Sequence, residues 1–350
     1  MRVIRVHPVR FLSRLLLGVV VSVTLLATGA PARALEASGF TYVVSSRSAT
    51  VTGCVGTCPT TLAIPATLGG YSVKTIAPSA FRDKQLTSVT IPNSVTSIDK
   101  YAFRDNQLSS VTIPNSVTII GPSAFRDNQL TSVTIPNSVA GINDYAFSNN
   151  QLTSVTIPNS VLVIGNYAFG ANQLTSVTIP NSVVSIANYA FVNNELTSVT
   201  FEGNAPDAGR DVFYDNGSLN AIKRYKGTTG WGSTWGGMLV DILPAVRAAA
   251  TVKPTIRGTA TVNKTLTAAK GTWTGHPAPT FTYQWYACTN TVTVARATVP
   301  STCKRITGAT RSTFKLTSAQ RGKYVTVLVT GTSAGTTRTT WLSKTTTKIK

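Results

Sequence analysis

The sequence predicts a mainly-β solenoid of 22-residue coils followed by an all-β sandwich. Three observations carry that reading. A Leu recurs at 86, 108, 130, 152, 174 and 196, 22 residues apart each time. Within each period, apolar residues alternate with Ser and Thr ahead of a Pro, which is the pattern of a short half-buried strand. After Pro244 the composition shifts to Thr, Ala, Lys and Arg, with alternating apolar runs between Gly- and Pro-containing turns.

The first element is an address. Arg2, Arg5, Arg10 and Arg14 precede an apolar run from Leu15 to Ala27, and Ala32-Arg33-Ala34 follows. A charged start, an apolar centre and an A-x-A site make residues 1–34 a secretory signal, with cleavage expected after Ala34. The alternative, a membrane anchor, needs ~20 apolar residues, which this run does not supply. No transmembrane segment is therefore expected after cleavage, and the mature chain is expected to be secreted. Export would place the four Cys in an oxidising compartment. Of the three possible connectivities, the favoured one joins Cys54 to Cys58 and Cys288 to Cys303, because neither bond then crosses a domain boundary.

Residues 35–85 read as an N-terminal cap with a degenerate repeat, containing Ile64-Pro65, Ile76 and Ala80-Phe81. Residues 86–217 form the repeat array itself, and 218–244 its C-terminal cap. In the first full coil, Leu86, Val89 and Ile91 point inward while Ser88 and Thr90 point outward. Pro92 has no N–H and ends the strand. Val95 and Ile98 return a second apolar edge to the core, and Ala102-Phe103 fills it. A single coil cannot bury its apolar face; stacked coils can, and stacking makes columns of identical residues. The column Asn106, Asn128, Asn150, Asn172 and Asn194 suits the backbone groups of the turns, a structural role.

The segment IPNSV-x-x-I-x-x-x-AF, repeated in phase, resembles the BspA-like (Treponema-type) leucine-rich repeats of bacterial surface proteins. The resemblance implies a leucine-rich repeat solenoid used for adhesion or protein binding, without a cofactor. The ligand-face candidates are the outward hydroxyls Ser88, Thr90, Ser110, Thr112, Ser132, Thr134, Ser154, Thr156, Ser176 and Thr178. Hot spots of tight protein complexes favour Trp, Tyr and Arg, which this face does not offer, so weak multivalent contact with a glycan or matrix surface fits better. The hydroxyl columns, ~4.8 Å apart between coils, also permit a water- or ice-ordering alternative, and a plain scaffold is a further one. Tyr101, Tyr145, Tyr167 and Tyr189 share a second register and are the protein-contact candidates, unless each ring only packs over the neighbouring coil.

The last element, 245–350, is expected to be a basic Ig-like β-sandwich. Lys264-Thr-Leu266, Gly271-Thr-Trp273, Tyr283-Gln-Trp285, Gly308-Ala309-Thr310 and Gly322-Lys323-Tyr324-Val325 resemble the Ig-like modules of secreted actinobacterial proteins. Trp285 is the expected core tryptophan, and Cys288–Cys303 would pin the loop from Thr289 to Ser301.

Charge then separates by region. The chain of 350 residues carries 32 Lys+Arg against 12 Asp+Glu, a formal +20. Five of those Arg lie in residues 1–34; residues 36–244 hold 11 basic and all 12 acidic residues; residues 245–350 hold 16 basic and no acidic ones. A module without carboxylates attracts polyanions in a salt-sensitive way. An anionic cell-envelope polymer is the expected partner, retaining the protein at the bacterial surface; solubility alone is the alternative reading. A sandwich without a reading helix does not suggest sequence-specific nucleic-acid recognition. Two His in the whole chain and no G-x-S-x-G, phosphate loop or metal-spacing cluster leave no assignable catalytic or metal-ligating residue. The pair Asp207 and Asp211 is the nearest approach to a carboxylate dyad.

Overall fold

The computed structural model describes residues 34–350; apart from Ala34, the secretory-signal reading falls outside them. Among the described residues the regular structure is almost wholly β, with one 3₁₀ turn at Ser318–Gln320.

The coils stack as the side-chain pattern requires. Leu86, Val89, Ile91, Val95, Ile98, Ala102 and Phe103 are buried, and so are their counterparts in the next four coils, apart from the half-buried Val155. Three sides of most coils join the next through backbone hydrogen bonds; on the second side the ladder breaks between Ile119–Ile120 and Gly141–Ile142, where the Asn143 side-chain amide donates to the Ile120 carbonyl instead. On the first side, short parallel strands pair in register: Thr61–Ala63 with Ser88–Thr90, Ser110–Thr112 with Ser132–Thr134, and Ser176–Ile179 with Ser198–Phe201. Around residue 155 this ladder thins to a single bridge, Thr134 to Thr156. It continues beyond the repeats through Ala221–Tyr225 and Met238–Leu243.

The second side is a ladder of two-residue strands, including Ser97–Ile98 beside Ile119–Ile120 and Val163–Ile164 beside Ser185–Ile186. Between these two sides the Pro92 carbonyl accepts from the Val95 N–H at 3.1 Å, a tight turn that recurs at Pro114, Pro136, Pro158 and Pro180. On the third side the Phe103 N–H donates to the Ala124 carbonyl of the next coil at 2.9 Å, and Phe125, Phe147, Phe169 and Phe191 repeat the bond. Neighbouring coils therefore meet most of each other's backbone donors and acceptors, as buried main chain must.

Phenylalanines fill the interior as one continuous stack. Phe81, Phe103, Phe125, Phe147, Phe169, Phe191 and Phe213 follow at centroid spacings of 5.3 to 5.7 Å. Each end of the stack is closed by an aromatic edge. Phe40 meets Phe81 at 6.2 Å and 89°, carried on the antiparallel hairpin Phe40–Ser45/Ser48–Cys54. Trp235 tilts against Phe213 at 6.0 Å, and its indole N–H donates to the Pro206 carbonyl at 2.8 Å. Cys54 is bonded to Cys58 at the N-terminal end.

Residues 246–342 form antiparallel sheets only. Val246–Val252 pairs with Thr272–His276; Thr265–Ala269 lies between Thr255–Arg257 and Thr313–Lys315; and Thr280–Cys288 and Tyr324–Thr332 lie between Cys303–Arg305 and Thr339–Leu342. Alternation in Tyr324–Thr332 sends Val325, Val327 and Val329 inward against Trp285, Leu266 and Leu316. The Trp285 indole N–H is satisfied by the Arg311 carbonyl at 2.9 Å. Cys288 is bonded to Cys303 across the base of the Thr289–Ser301 loop.

Candidate functional site

Candidate sites are built from the repeating surfaces of the described residues. The first is the hydroxyl face. Parallel pairing in register sets Ser110 beside Ser132 and Thr112 beside Thr134, and likewise Ser176 beside Ser198 and Thr178 beside Thr200. Ser88, Thr90, Ser110, Thr112, Ser132, Thr134, Ser154, Thr156, Ser176 and Thr178 are all exposed. The face presents short hydroxyls without aromatic or charged side chains until Lys223 and Asp241 enter its rows. It offers many equivalent hydrogen bonds and no anchor.

The tyrosine edge has a different chemistry. Tyr101, Tyr145, Tyr167 and Tyr189 all take left-handed backbone angles, φ 53° to 60°. That region is strained for an aromatic residue, and neighbouring contacts must hold it there. Tyr145, Tyr167 and Tyr189 do so by stacking, at 4.8 and 5.0 Å between centroids. Tyr101 has no ring beside it, because Ser79 and Ser123 occupy the flanking coils. Its place in the stack is taken by guanidinium groups, Arg82 at 6.0 Å and Arg104 at 5.7 Å from the ring. Arg126 lies 4.9 Å from the Tyr145 ring. The four tyrosines are half-buried, with part of each side chain left accessible beside its packing.

The same arginines build a staggered ion-pair ladder. Arg82 reaches Asp105 at 2.9 Å, Arg104 reaches Asp127 at 3.1 Å, and Arg104 and Arg126 also approach the aspartate of their own coil at 3.4 and 3.2 Å. Burial raises the Asp105 carboxyl, but the hydrogen bond from Arg82 and the charge of Arg104 outweigh it and hold the group below its ordinary value of 3.8. Asp211 pairs with the adjacent Arg210 at 3.0 Å, while Asp207 lies on the second ladder; the two acids are not brought together as a dyad.

The asparagine column is structural in full. Asn106 accepts from the Leu86 N–H at 2.9 Å and donates to the carbonyls of Phe81 at 2.8 Å and Phe103 at 2.9 Å. Asn128, Asn150, Asn172, Asn194 and Asn216 repeat the set. With donors and acceptor engaged and the side chains buried, none of these amides is available to a ligand.

Features that sequence periodicity did not single out lie elsewhere. The second ladder exposes Ile119, Leu162, Val163 and Val184, positions that vary between coils and so escape a consensus. His276 stacks on Tyr225 at 4.6 Å and its Nδ1 lies 3.5 Å from Glu202, joining the basic region to the last repeat coil. A cavity of about 630 Å³ opens between Lys253, Ile256, Val294, Trp341 and Lys344. Among the described residues no group of three or more His, Cys, Asp or Glu is placed to hold a metal, and no helix is long and apolar enough to cross a membrane.

Comparison with known proteins agrees with this repeat geometry. Residues 74–183 and 141–233 match the family described as BspA type Leucine rich repeat region, with six copies. No curated protein matches the chain. Among solved structures, a leucine rich cell surface protein from Faecalibacterium prausnitzii is 26% identical over 57% of this chain and 56% of that one, with TM-score 0.45. This chain thus spans little more than half of that protein. The pneumococcal vaccine antigen PcpA is 20% identical over 61% of this chain and 70% of its own, with TM-score 0.45. A leucine rich repeat protein of T. pallidum is 22% identical over 55% and 86%, with TM-score 0.34.

Proposed function

We propose that this is a secreted binding protein of the bacterial cell surface, whose solenoid engages a repetitive glycan or matrix-protein surface and whose basic region keeps it at the envelope. The match of the repeats to BspA-type leucine-rich repeats supports a binding or adhesion role. The observation that supports the ligand side is the in-register hydroxyl face, where one hydrogen-bonding pattern is offered by successive coils on either side of a break near Thr156. Such an array gains strength through multivalency, not through a hot spot. The division of labour follows residues 35–85 as cap, 86–217 as repeat array, 218–244 as closing cap and 245–350 as an Ig-like sandwich. The thinning of the ladder at Thr156 weighs against the water-ordering alternative, which needs an unbroken lattice.

Retention rests on charge. Residues 245–350 carry 16 basic and no acidic residues. Their field would hold a wall polymer or another anionic envelope component with an affinity that falls as salt rises.

The test pairs the chain with a variant carrying Lys in place of Thr112, Thr134 and Thr178. On arrays of glycans and matrix proteins, the chain should bind multivalently and the variant should lose its pattern of ligands. Equal binding by both would remove the hydroxyl face from the reading. In parallel, washing producing cells with rising salt should release the protein stepwise; release indifferent to salt would remove electrostatic retention.

A further inference from the structure

The cavity in the basic region is a built site that neither the repeats nor the overall charge accounts for. Its walls are apolar: Pro254 and Ile256 on one side, Val294 and Ala295 on another, with the Trp341 indole between. Val294 and Ala295 sit on the loop closed by the Cys288–Cys303 bond. That loop is fastened to the Trp341 strand by a two-way backbone bridge between Arg296 and Leu342 and by the Thr345 N–H to the Val292 carbonyl at 3.0 Å. The wall is therefore held in place before any ligand arrives, and at about 630 Å³ the space falls within the range of small-molecule sites.

The charged groups at this cavity carry one sign, beside the neutral hydroxyls of Thr255, Thr345 and Thr346. The Lys253 ammonium is fixed by the Ala250 carbonyl at 3.1 Å and by the Trp341 ring at 3.2 Å, which leaves part of its donor capacity unused. Lys344 is exposed at the rim. No carboxylate occurs anywhere in residues 245–350, and among the described residues neither lysine is in an ion pair. Lys253 covers the face of the Trp341 ring, so a ligand enters along the Val294–Ile256 side instead of stacking there. An apolar body with one anionic head satisfies both the walls and the lysines; a neutral sugar lacks the apolar body, and a cationic head is repelled by the lysines.

We propose that this cavity binds a single-chain amphipathic carboxylate, a fatty acid, with its chain along Val294 and Ile256 and its head at Lys253 and Lys344. This goes beyond envelope retention, which uses the field of the whole region and needs no pocket. The two also separate experimentally: polyanion retention collapses with salt, whereas burial of an alkyl chain does not.

The experiment is calorimetric titration of the full chain with dodecanoate below its micelle concentration, alongside dodecanol and dodecyltrimethylammonium, at low and high salt. Dodecanoate should saturate at one per chain and at high salt lose no more than the roughly tenfold that its charged head contributes. The alcohol should bind at least about tenfold more weakly, because it lacks the charged head that the lysines meet. Val294→Asp and Lys344→Glu, both at exposed positions, should each weaken dodecanoate by at least about tenfold while leaving the circular dichroism spectrum unchanged. Non-saturating uptake, equal affinity for the alcohol, or indifference to both substitutions would overturn the proposal. Wall-polymer binding measured on the same variants would be unaffected by Val294→Asp, so failure of one reading leaves the other standing.

Discussion

The side-chain amide of Asn128 donates to the main-chain carbonyl of Phe103, 25 positions earlier, at 2.9 Å. One side chain thereby ties two coils, because the same amide also reaches Phe125 at 3.2 Å and its oxygen accepts from the Leu108 N–H at 3.1 Å. Replacing Asn128 by Ala would strand buried backbone groups of both coils. We expect a loss of about 1–3 kcal/mol in denaturant unfolding, the cost of leaving buried polar groups unmet. A loss indistinguishable from that of an exposed Thr134→Ala control would contradict the structural role of the column.

Phe147 is fully buried between Phe125 and Phe169, each 5.7 Å away. Phe147→Ala should cost about 3–5 kcal/mol, the range for removing a buried ring that its surroundings cannot refill. Urea unfolding monitored by circular dichroism checks this. Because coils contact only their neighbours, the transition should also broaden as the array loses cooperation across the gap.

Tyr167 lies at φ 53° and stacks on both Tyr145 and Tyr189. Substitution by Ala removes the stacking and keeps the strained backbone; substitution by Gly removes both. Tyr167→Gly should therefore be less destabilising than Tyr167→Ala by about 1 kcal/mol, the reverse of the order expected at an ordinary β position. Thermal melts of the two variants decide it.

The Asp105 carboxyl is held below its ordinary value of 3.8, so its contribution is present above that value and is lost as pH falls through the lower folded one. Wild type should exceed Asp105→Asn in stability at neutral pH by no more than about 1 kcal/mol, given the partial exposure of the pair. The difference should shrink steadily below about pH 4 as the unfolded carboxyl takes up its proton. Denaturation midpoints measured from neutral pH down to about pH 2 would show the convergence, and a constant gap would deny it.

The Cys288–Cys303 bond closes 15 residues and Cys54–Cys58 only 4. Loop-closure entropy predicts a loss of about 3 kcal/mol for the Ser pair at the first and about 2 kcal/mol at the second. Differential scanning calorimetry of the two double variants should rank them in that order.

Much of the fold was legible because identical coils repeat one physical solution. Leu86, Val89, Ile91, Ile98 and Phe103 were readable as core from alternation and phase, and Asn106 as a turn satisfier from its fixed place beside them. Trp285 was readable as the centre of the basic region, since an indole among alternating strands has few other destinations. What was not legible depends on the third dimension. Nothing in the spacing of Tyr145 and Tyr167 says that their backbone is left-handed, and nothing near Arg104 says that it pairs one coil onward with Asp127. The contact of His276 with Glu202 joins residues 74 apart in sequence without any shared period. The cavity at Trp341 likewise draws on Lys253 and Val294, whose proximity arises only when the disulfide-closed loop folds against the strand.

The aromatic edges that meet the phenylalanine stack, Phe40 at one end and Trp235 at the other, also decide that the particle is finite. Each coil presents to the next the same surface it receives, so the array is self-complementary along its axis and has no internal reason to stop. A chain stripped of both caps would expose open ladders at its two ends, each matching the other end of a second molecule. Its natural product would be a polymer growing head to tail. The caps are thus the device that gives a template for assembly its fixed length.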